Sequence, residues 1–362
     1  MFWVEYEVKT HLLRSAKQFS KKPIIQIQAI PEHRILVSLS DSVVSVHNLD
    51  KISFPHLSTL AKTKGATHFA LDITRIRTLT GEIQCTVRLV VAVKYQLLFF
   101  YWKNNDFHEL RPNIKLADSA RSIIWQGKFL YVGLRNQYIQ VAVEAHAGTQ
   151  KELFPFKESA NEPLMLSLNS GGAGGGTSSV GVLGTTSTGS GSSNNQCGLA
   201  LCREKQTFIF DGEAKPLLDF PITWSEQPIS LADDSLFLLA ALPESAIEVL
   251  TTSSASKILP IQRISLAVGS SVSKPIRALG KWSGRPGQLL ANSESDVVLI
   301  KAVAREQQIK LLQSEKYFEL ALKVGVYNCD HHFLTPQSST LDCGDGRRRP
   351  RREWIDQAGD WR

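Results

Sequence analysis

The stretch Ile35-Leu-Val-Ser-Leu39, Ser40-Asp-Ser42, Val43-Val-Ser-Val-His47 decides the fold. Two short apolar runs flank a polar turn, which is the sequence form of a β-hairpin. The same form recurs five more times. Leu89-Val-Val-Ala-Val93 and Gln96-Leu-Leu-Phe-Phe-Tyr-Trp102 flank Lys94-Tyr95. Phe129-Leu-Tyr-Val-Gly133 and Gln137-Tyr-Ile-Gln-Val-Ala-Val143 flank Leu134 to Asn136. Leu199-Ala-Leu201 and Gln206-Thr-Phe-Ile-Phe210 flank the polar run from Cys202 to Lys205. Leu236-Phe-Leu-Leu-Ala240 and Ala246-Ile-Glu-Val-Leu250 flank a turn around Pro243 to Ser245. Gln288-Leu-Leu-Ala291 and Val297-Val-Leu-Ile300 flank Asn292 to Asp296.

The first strands begin at 35, 89, 129, 199, 236 and 288, giving spacings of 54, 40, 70, 37 and 52 residues. Propeller blades occupy roughly 40 to 50 residues, and the longest spacing contains an insertion. Pro23 to Ile30 and Arg121 to Trp125 supply a preceding, inner strand for two of the hairpins. A single hairpin cannot bury its faces, whereas radial repetition can. These features predict an all-β chain with six recognisable propeller blades. Periodicity alone leaves a β-sandwich or paired barrels open, and the chain carries neither a WD-type nor a kelch-type signature.

Outward from the hairpins, the composition changes twice. Residues 169–195 are almost entirely Gly, Ser and Thr and are expected to form a disordered surface loop, since such sequence cannot offset its ordering entropy by burial. Gly171 to Gly176 are followed by no Gly-Lys-Ser/Thr, so a phosphate-binding loop is not indicated. After the sixth hairpin the period becomes helical over 302–325, with a break near Gln313-Ser314 and Ser314 as the expected cap of the second helix. Ile309, Leu312, Phe318 and Leu322 are the candidate apolar residues facing a solenoid repeat or a partner. The propeller is accordingly assigned to 8–301, the start of a helical solenoid to 302–325, and a disordered or atypical tail to 326–362.

The formal charge of +7 is mild for 362 residues, and 43% of the residues are hydrophobic. Lys21-Lys22 and Lys62 to Lys64 are read as solvated surface, so nucleic acid is not an expected partner of the folded part. In the tail, Arg347 to Arg352 are compatible with a nuclear-localisation or acidic-partner patch. Cys85, Cys197, Cys202, Cys329 and Cys343 are odd in number and irregularly spaced, which reads as free thiols in a reducing compartment. His331, His332 and the tail cysteines match no familiar zinc spacing, and Asp342 to Gly346 hold too few carboxylates for a calcium loop. Glu5 and Glu7 interrupt the place where a signal peptide needs its apolar core, and Lys94 breaks the longest apolar run.

No catalytic motif stands out: there is no Gly-x-Ser-x-Gly elbow, His-Glu-x-x-His helix or dinucleotide fingerprint. Asp72 with Asp106, or Asp234 with His108, form only hypothetical acid–base pairs, since nothing in their spacing places them together. Phe99 to Trp102 are read as filling between blades rather than as a stacking platform. The expectation is a non-enzyme with no catalytic residues, cofactor or metal.

Several phrases resemble the citron-homology propeller of the Vam6/Vps-type tethering family, subunits of the homotypic fusion and vacuole protein sorting complex. They are Phe19 to Lys22, Ile35 to Leu39, Lys64 to Ala66 with Phe69, Val91 to Lys94, Phe100 to Lys103 with Phe107 to Leu110, Lys151 to Pro155 and Leu242 to Ser245. Leu311 to Leu322 resembles that family's entry into its α-solenoid. The resemblance implies seven blades, so on this reading the chain begins after a first blade and stops before most of the solenoid. It further implies an adaptor in tethering at late endosomes and lysosomes or vacuoles. The implied partners are a small Rab GTPase and other tether subunits, with peripheral membrane association. Guanine-nucleotide exchange on a Rab is the alternative that the resemblance leaves open.

Overall fold

The computed structural model describes residues 3–7, 22–51, 53–77, 83–144, 148–157, 162–168, 180–182, 198–234, 236–251, 260–265, 275–281, 287–293 and 297–327. In chain order the strands are β1 (Trp3–Glu7), β2 (Ile24–Ile30), β3 (Ile35–Ser40), β4 (Val43–Asn48) and β5 (His56–Thr59). There follow β6 (Ala66–Arg77), β7 (Ile83–Val93), β8 (Gln96–Lys103), β9 (Asp106–Lys115), β10 (Ser122–Gln126), β11 (Phe129–Gly133), β12 (Gln137–Ala142) and β13 (Gln150–Pro155). Next come β14 (Met165–Leu168), β15 (Val180–Val182), β16 (Gly198–Arg203), β17 (Gln206–Phe210), β18 (Ile222–Thr223), β19 (Ser230–Asp234), β20 (Phe237–Ala241) and β21 (Ala246–Thr251). The last strands are β22 (Pro260–Ser265), β23 (Ala278–Lys281), β24 (Gln288–Asn292) and β25 (Val297–Ala302), followed by helices α1 (Arg305–Ser314) and α2 (Phe318–Tyr327).

The strands form six sheets, the blades of a propeller. Blade 1 is β2-β3-β4-β5, blade 3 β10 to β13, blade 4 β14-β16-β17-β18 and blade 5 β19 to β22. Blade 2 is β6 to β9 with β15 added in parallel beside Arg75 to Arg77. Blade 6 is β23-β24-β25 with the N-terminal β1 as its outer strand. Each of the six hairpins read from the sequence is the middle pair of a blade, and Pro23 to Ile30 and Arg121 to Trp125 lie on the inner strands β2 and β10.

Local chemistry shapes the tight connections. The turn from β3 to β4 places Asp41 and Ser42 at φ 53° and 55°, and the turn from β8 to β9 places Asn104 and Asn105 at 52° and 62°. Two successive left-handed residues match the twist of a two-residue hairpin, and Asn and Asp tolerate that conformation better than branched residues do. Gly133 serves a different need. A side chain there would come within 2.4 Å of Ser122 Oγ and 2.6 Å of Pro163 Cβ, so only a hydrogen fits where blade 3 meets the chain entering blade 4.

In blades 2 to 5 the middle strands are apolar on both faces because each face meets a neighbouring blade. Val37 and Leu39 of blade 1 pack with Phe69, Leu89 and Val91 of blade 2. Val90 and Phe99 continue to Trp125 and Val132 of blade 3. Tyr131 and Tyr138 join Leu199 and Phe210 of blade 4, Ala200 and Ile209 join Leu238 and Leu250 of blade 5, and Leu239 and Val249 join Leu289 and Ile300 of blade 6. Full burial of one such side chain is worth about 1.5 to 3 kcal/mol.

These are five junctions for six blades. Among the described residues no such cluster joins blade 6 to blade 1. On β2, Gln26 and Ile30 face blade 2, while Ile25 and Ile27 alternate to the opposite face and stay 58% and 49% exposed. Val297, at the start of β25, is likewise 58% exposed.

Three boundaries differ from the sequence reading. Trp3–Glu7 lie ahead of the expected start at residue 8 yet belong to the propeller, because the open edge of β25 accepts them as an antiparallel partner. The first helix begins at Arg305, since Lys301 and Ala302 still pair in the sheet. Ser314 does not cap α2; its hydroxyl donates to the Leu311 carbonyl at 2.8 Å and closes α1 instead. Of residues 169–195, all but Val180–Val182 lie outside the described residues, as do 328–362 with Cys329, His331, His332, Cys343 and Arg347 to Arg352.

Candidate functional site

The helices are the first candidate site. The strand β25 delivers the chain to the side of the ring that carries the β19–β20 turn, and α1 and α2 fold back there. Leu312 is fully buried, together with Leu320, Ala321 and Val324, against the cluster that includes Phe237, Leu289 and Ile300. Ile309 packs against the same cluster and is partly buried. Leu312 is therefore a core residue rather than one offered to a partner, because the inward face of α1 is already covered by blades 5 and 6. Phe318 and Leu322 are one helical turn apart on α2 and face solvent at 60% and 71% exposure. Lys323 pairs with Glu319 at 2.7 Å beside them. The four apolar residues named from the sequence thus divide into an anchoring pair and an exposed pair.

The hypothetical acid–base pairs do not assemble. Asp72 is buried and accepts from Arg88 at 2.8 Å, and the Arg88 guanidinium lies 5.0 Å above the ring of Trp125. Asp106 accepts from Ser58 and from the Phe107 N–H, while the His108 ring is bonded to the Lys103 carbonyl. Asp234 stands on blade 5, far in the topology from His108 on blade 2. Burial raises the Asp234 pKa, the Gly287 backbone and Lys281 oppose that rise, and Asp233 adds to it. Asp233 and Asp234 are consecutive on a strand, so their side chains take opposite faces and form no carboxylate dyad.

One serine–histidine contact was missed from the sequence. Ser38 Oγ lies 2.9 Å from His47 Nε2, and His47 Nδ1 lies 3.3 Å from the Phe54 carbonyl. A carbonyl only accepts, so Nδ1 carries the proton and Nε2 accepts from the serine hydroxyl. Ser38 and His47 are 2% and 4% exposed, which leaves a substrate no room at the oxygen. The contact satisfies buried polar groups and is not a nucleophile in waiting.

Both cysteines among the described residues are free. Burial pushes the Cys202 thiol up to about 11 and also raises Cys85, so neither is a ready thiolate. Among the described residues no group of three or more His, Cys, Asp and Glu side chains is arranged to hold a metal ion, and no helix is long and apolar enough to cross a membrane. Of the expected surface lysines, Lys22, Lys62 and Lys64 are exposed, Lys22 pairing with Asp41 and Lys62 with Glu109, while Lys21 lies outside the described residues.

A blade repeated six times, with a helix pair docked on its last members, defines a six-bladed β-propeller followed by two helices. Residues 2–269 match the CNH domain family, and the chain belongs to that family. The human Vam6/Vps39-like protein is 29% identical over 341 residues, covering 92% of this chain and 33% of its own length. The vacuolar protein sorting-associated protein 39 homolog of Drosophila melanogaster is 30% identical over 156 residues, covering 42% of this chain and 18% of its own. The chain therefore spans about a third of the length of the human relative. A chain in the crystal structure of the mitotic checkpoint complex shares the fold alone, with a TM-score of 0.52 at 11% identity, covering 79% of this chain and 76% of its own.

Proposed function

We propose that this chain is a non-catalytic adaptor in membrane tethering at endosomes and lysosomes or vacuoles. In this reading it sits peripherally on the membrane through its partners, binding other tether subunits and a small Rab GTPase. The Drosophila relative's name points to vacuolar protein sorting, the family resemblance adds tethering, and the exposed Phe318 and Leu322 carry the argument for this chain. Two large apolar side chains one turn apart on a helix fit the groove of a second amphipathic helix. The α1–α2 pair already displays that packing, with Leu312 and Leu320 inside. The division into a propeller and the start of a helical solenoid is part of the same proposal.

The test is co-precipitation of the chain with tether subunits, beside the double variant Phe318→Ser/Leu322→Ser. Capture is expected for the unmodified chain and lost in the variant, with an unchanged melting temperature because both side chains are exposed. Equal capture by both removes the helix from the interface. Release of labelled nucleotide from Rab proteins, accelerated by catalytic amounts of the chain, replaces the adaptor reading with an exchange factor.

A further inference from the structure

The side of the ring bearing the linkers between blades and the turns of the middle hairpins holds a cleft of about 870 Å³. Ser122 and Ile124 enter it from blade 3, Pro163 and Met165 from blade 4, and Pro228 and Ile229 from blade 5. The interior is mainly apolar, but Ser122 Oγ is buried there without a hydrogen-bond partner. Tyr138 lines the same cleft, its hydroxyl 2.7 Å from the Cys202 carbonyl, and burial keeps that phenol protonated.

The cleft adjoins a second hollow of about 580 Å³, where Lys157, Arg203 and Lys205 stand around Phe156 and Thr223. Phe156, Lys157 and Glu204 line both spaces. The Arg203 guanidinium lies 4.9 Å over Phe208 and 6.0 Å over Phe154 and donates to Gln206 at 3.2 Å. Lys205 donates to the Ser225 carbonyl at 2.9 Å. Among the described residues none of these three cations meets a carboxylate within ion-pair distance, whereas Lys22, Lys62, Lys215 and Lys281 each do. Glu204, on the turn between Arg203 and Lys205, is the single carboxylate lining the second hollow, which leaves an excess of positive charge there. Glu162 lines the first cleft, with His68 at 3.6 Å.

We propose that this continuous recess binds an extended acidic peptide segment of a partner protein. Its carboxylates meet Lys157, Arg203 and Lys205, and its apolar side chains lie along Ile124, Met165 and Ile229. Charge selects the ligand's sign, and the recessed apolar interior selects its shape. A planar anionic membrane meets projecting cations but cannot line a cleft, whereas an extended chain presents side chains to both spaces. This surface lies on the side opposite the helices, so it goes beyond the helix-mediated reading and is measured independently of it.

The test is fluorescence anisotropy with labelled short peptides in which Glu alternates with Leu, beside Lys–Leu and Glu–Ser controls. The Glu–Leu peptide is expected to bind most tightly and to weaken as salt is raised. The Lys157→Glu/Lys205→Glu variant is expected to bind about tenfold more weakly or worse. Ile229→Ser is expected to erase the advantage of Glu–Leu over Glu–Ser while leaving the salt dependence. Circular dichroism checks that the variants fold, and Lys157→Gln alone, an exposed position with no ion pair among the described residues, serves if the double variant does not. Absence of binding by every acidic peptide, binding that the charge changes leave intact, or an equal preference for Glu–Ser overturns the proposal. Binding of phosphatidylserine vesicles but not peptides, abolished by the same charge changes, assigns the surface to a membrane and overturns it as well.

Discussion

Gln26 ties blade 1 to blade 2 through the backbone of Phe69. Its Nε2 donates to the Phe69 carbonyl at 2.7 Å, and its Oε1 accepts from the Phe69 N–H at 3.0 Å. One side chain thus satisfies both backbone groups of a residue whose ring is fully buried. Removing it leaves a buried donor and acceptor together, so Gln26→Ala is expected to cost about 1 to 3 kcal/mol. Urea unfolding gives the value. Ile25→Ser, next in sequence but on the exposed face, is expected to change stability by less than about 0.5 kcal/mol. Equal costs for the two variants contradict the assignment of their faces.

Gly133→Ala tests the join between blades 3 and 4. The added methyl meets the Ser122 hydroxyl, which can rotate, and the Pro163 ring, which cannot. The expected cost is about 1 to 3 kcal/mol, the range for overpacking a filled site. Because Ser122 and Pro163 also line the peptide cleft, affinity for the Glu–Leu peptide is expected to fall in parallel. A variant as stable as the parent, measured by thermal unfolding, shows that the two segments separate freely.

His47 makes stability depend on pH. Burial lowers its pKa below the ordinary imidazole value of 6.5; the Phe54 carbonyl acts the other way, and His56 adds to the depression. The unfolded chain therefore takes up a proton at a pH where the folded chain does not. Stability is expected to fall as pH drops from 6.5 toward the lower folded value, and to change no further on this account below it. His47→Gln is expected to flatten that part of the profile. Unfolding free energies at several pH values on either side of 6.5 provide the check, and an identical slope in both proteins excludes His47 as the source.

The fold was legible where both faces of a strand are buried. Leu238 and Leu239 are consecutive and fully buried, one toward blade 4 and the other toward blade 6, so the sequence shows an unbroken apolar run. Outer strands carry no such mark: in β13, Gln150, Lys151 and Glu152 are all exposed, and the residues read like a loop. The strand β1 escaped because its partner lies at the far end of the propeller, beyond the reach of local periodicity. The helical stripe was visible, but which part turns inward depends on where blades 5 and 6 stand. The cleft was invisible for a related reason. Ser122, Lys157, Arg203 and Ile229 come from separate segments, and only the circular arrangement of blades makes them neighbours.

The pairing of β1 with β25 sets the order in which the molecule is finished. Trp3 meets Ala302 and Glu7 meets Leu299, so β1 is made long before the strand it pairs with. Blades 1 to 5 each draw four strands from one stretch of chain, β15 being a later addition to blade 2, and can assemble as they leave the ribosome, domain-like unit by unit. Blade 6 must wait, with β25 presenting an open edge until β1 docks on it. A contact of such sequence separation slows the final step of folding. Newly made chains are most exposed to strand capture by one another in that interval, before β1 covers the edge of β25.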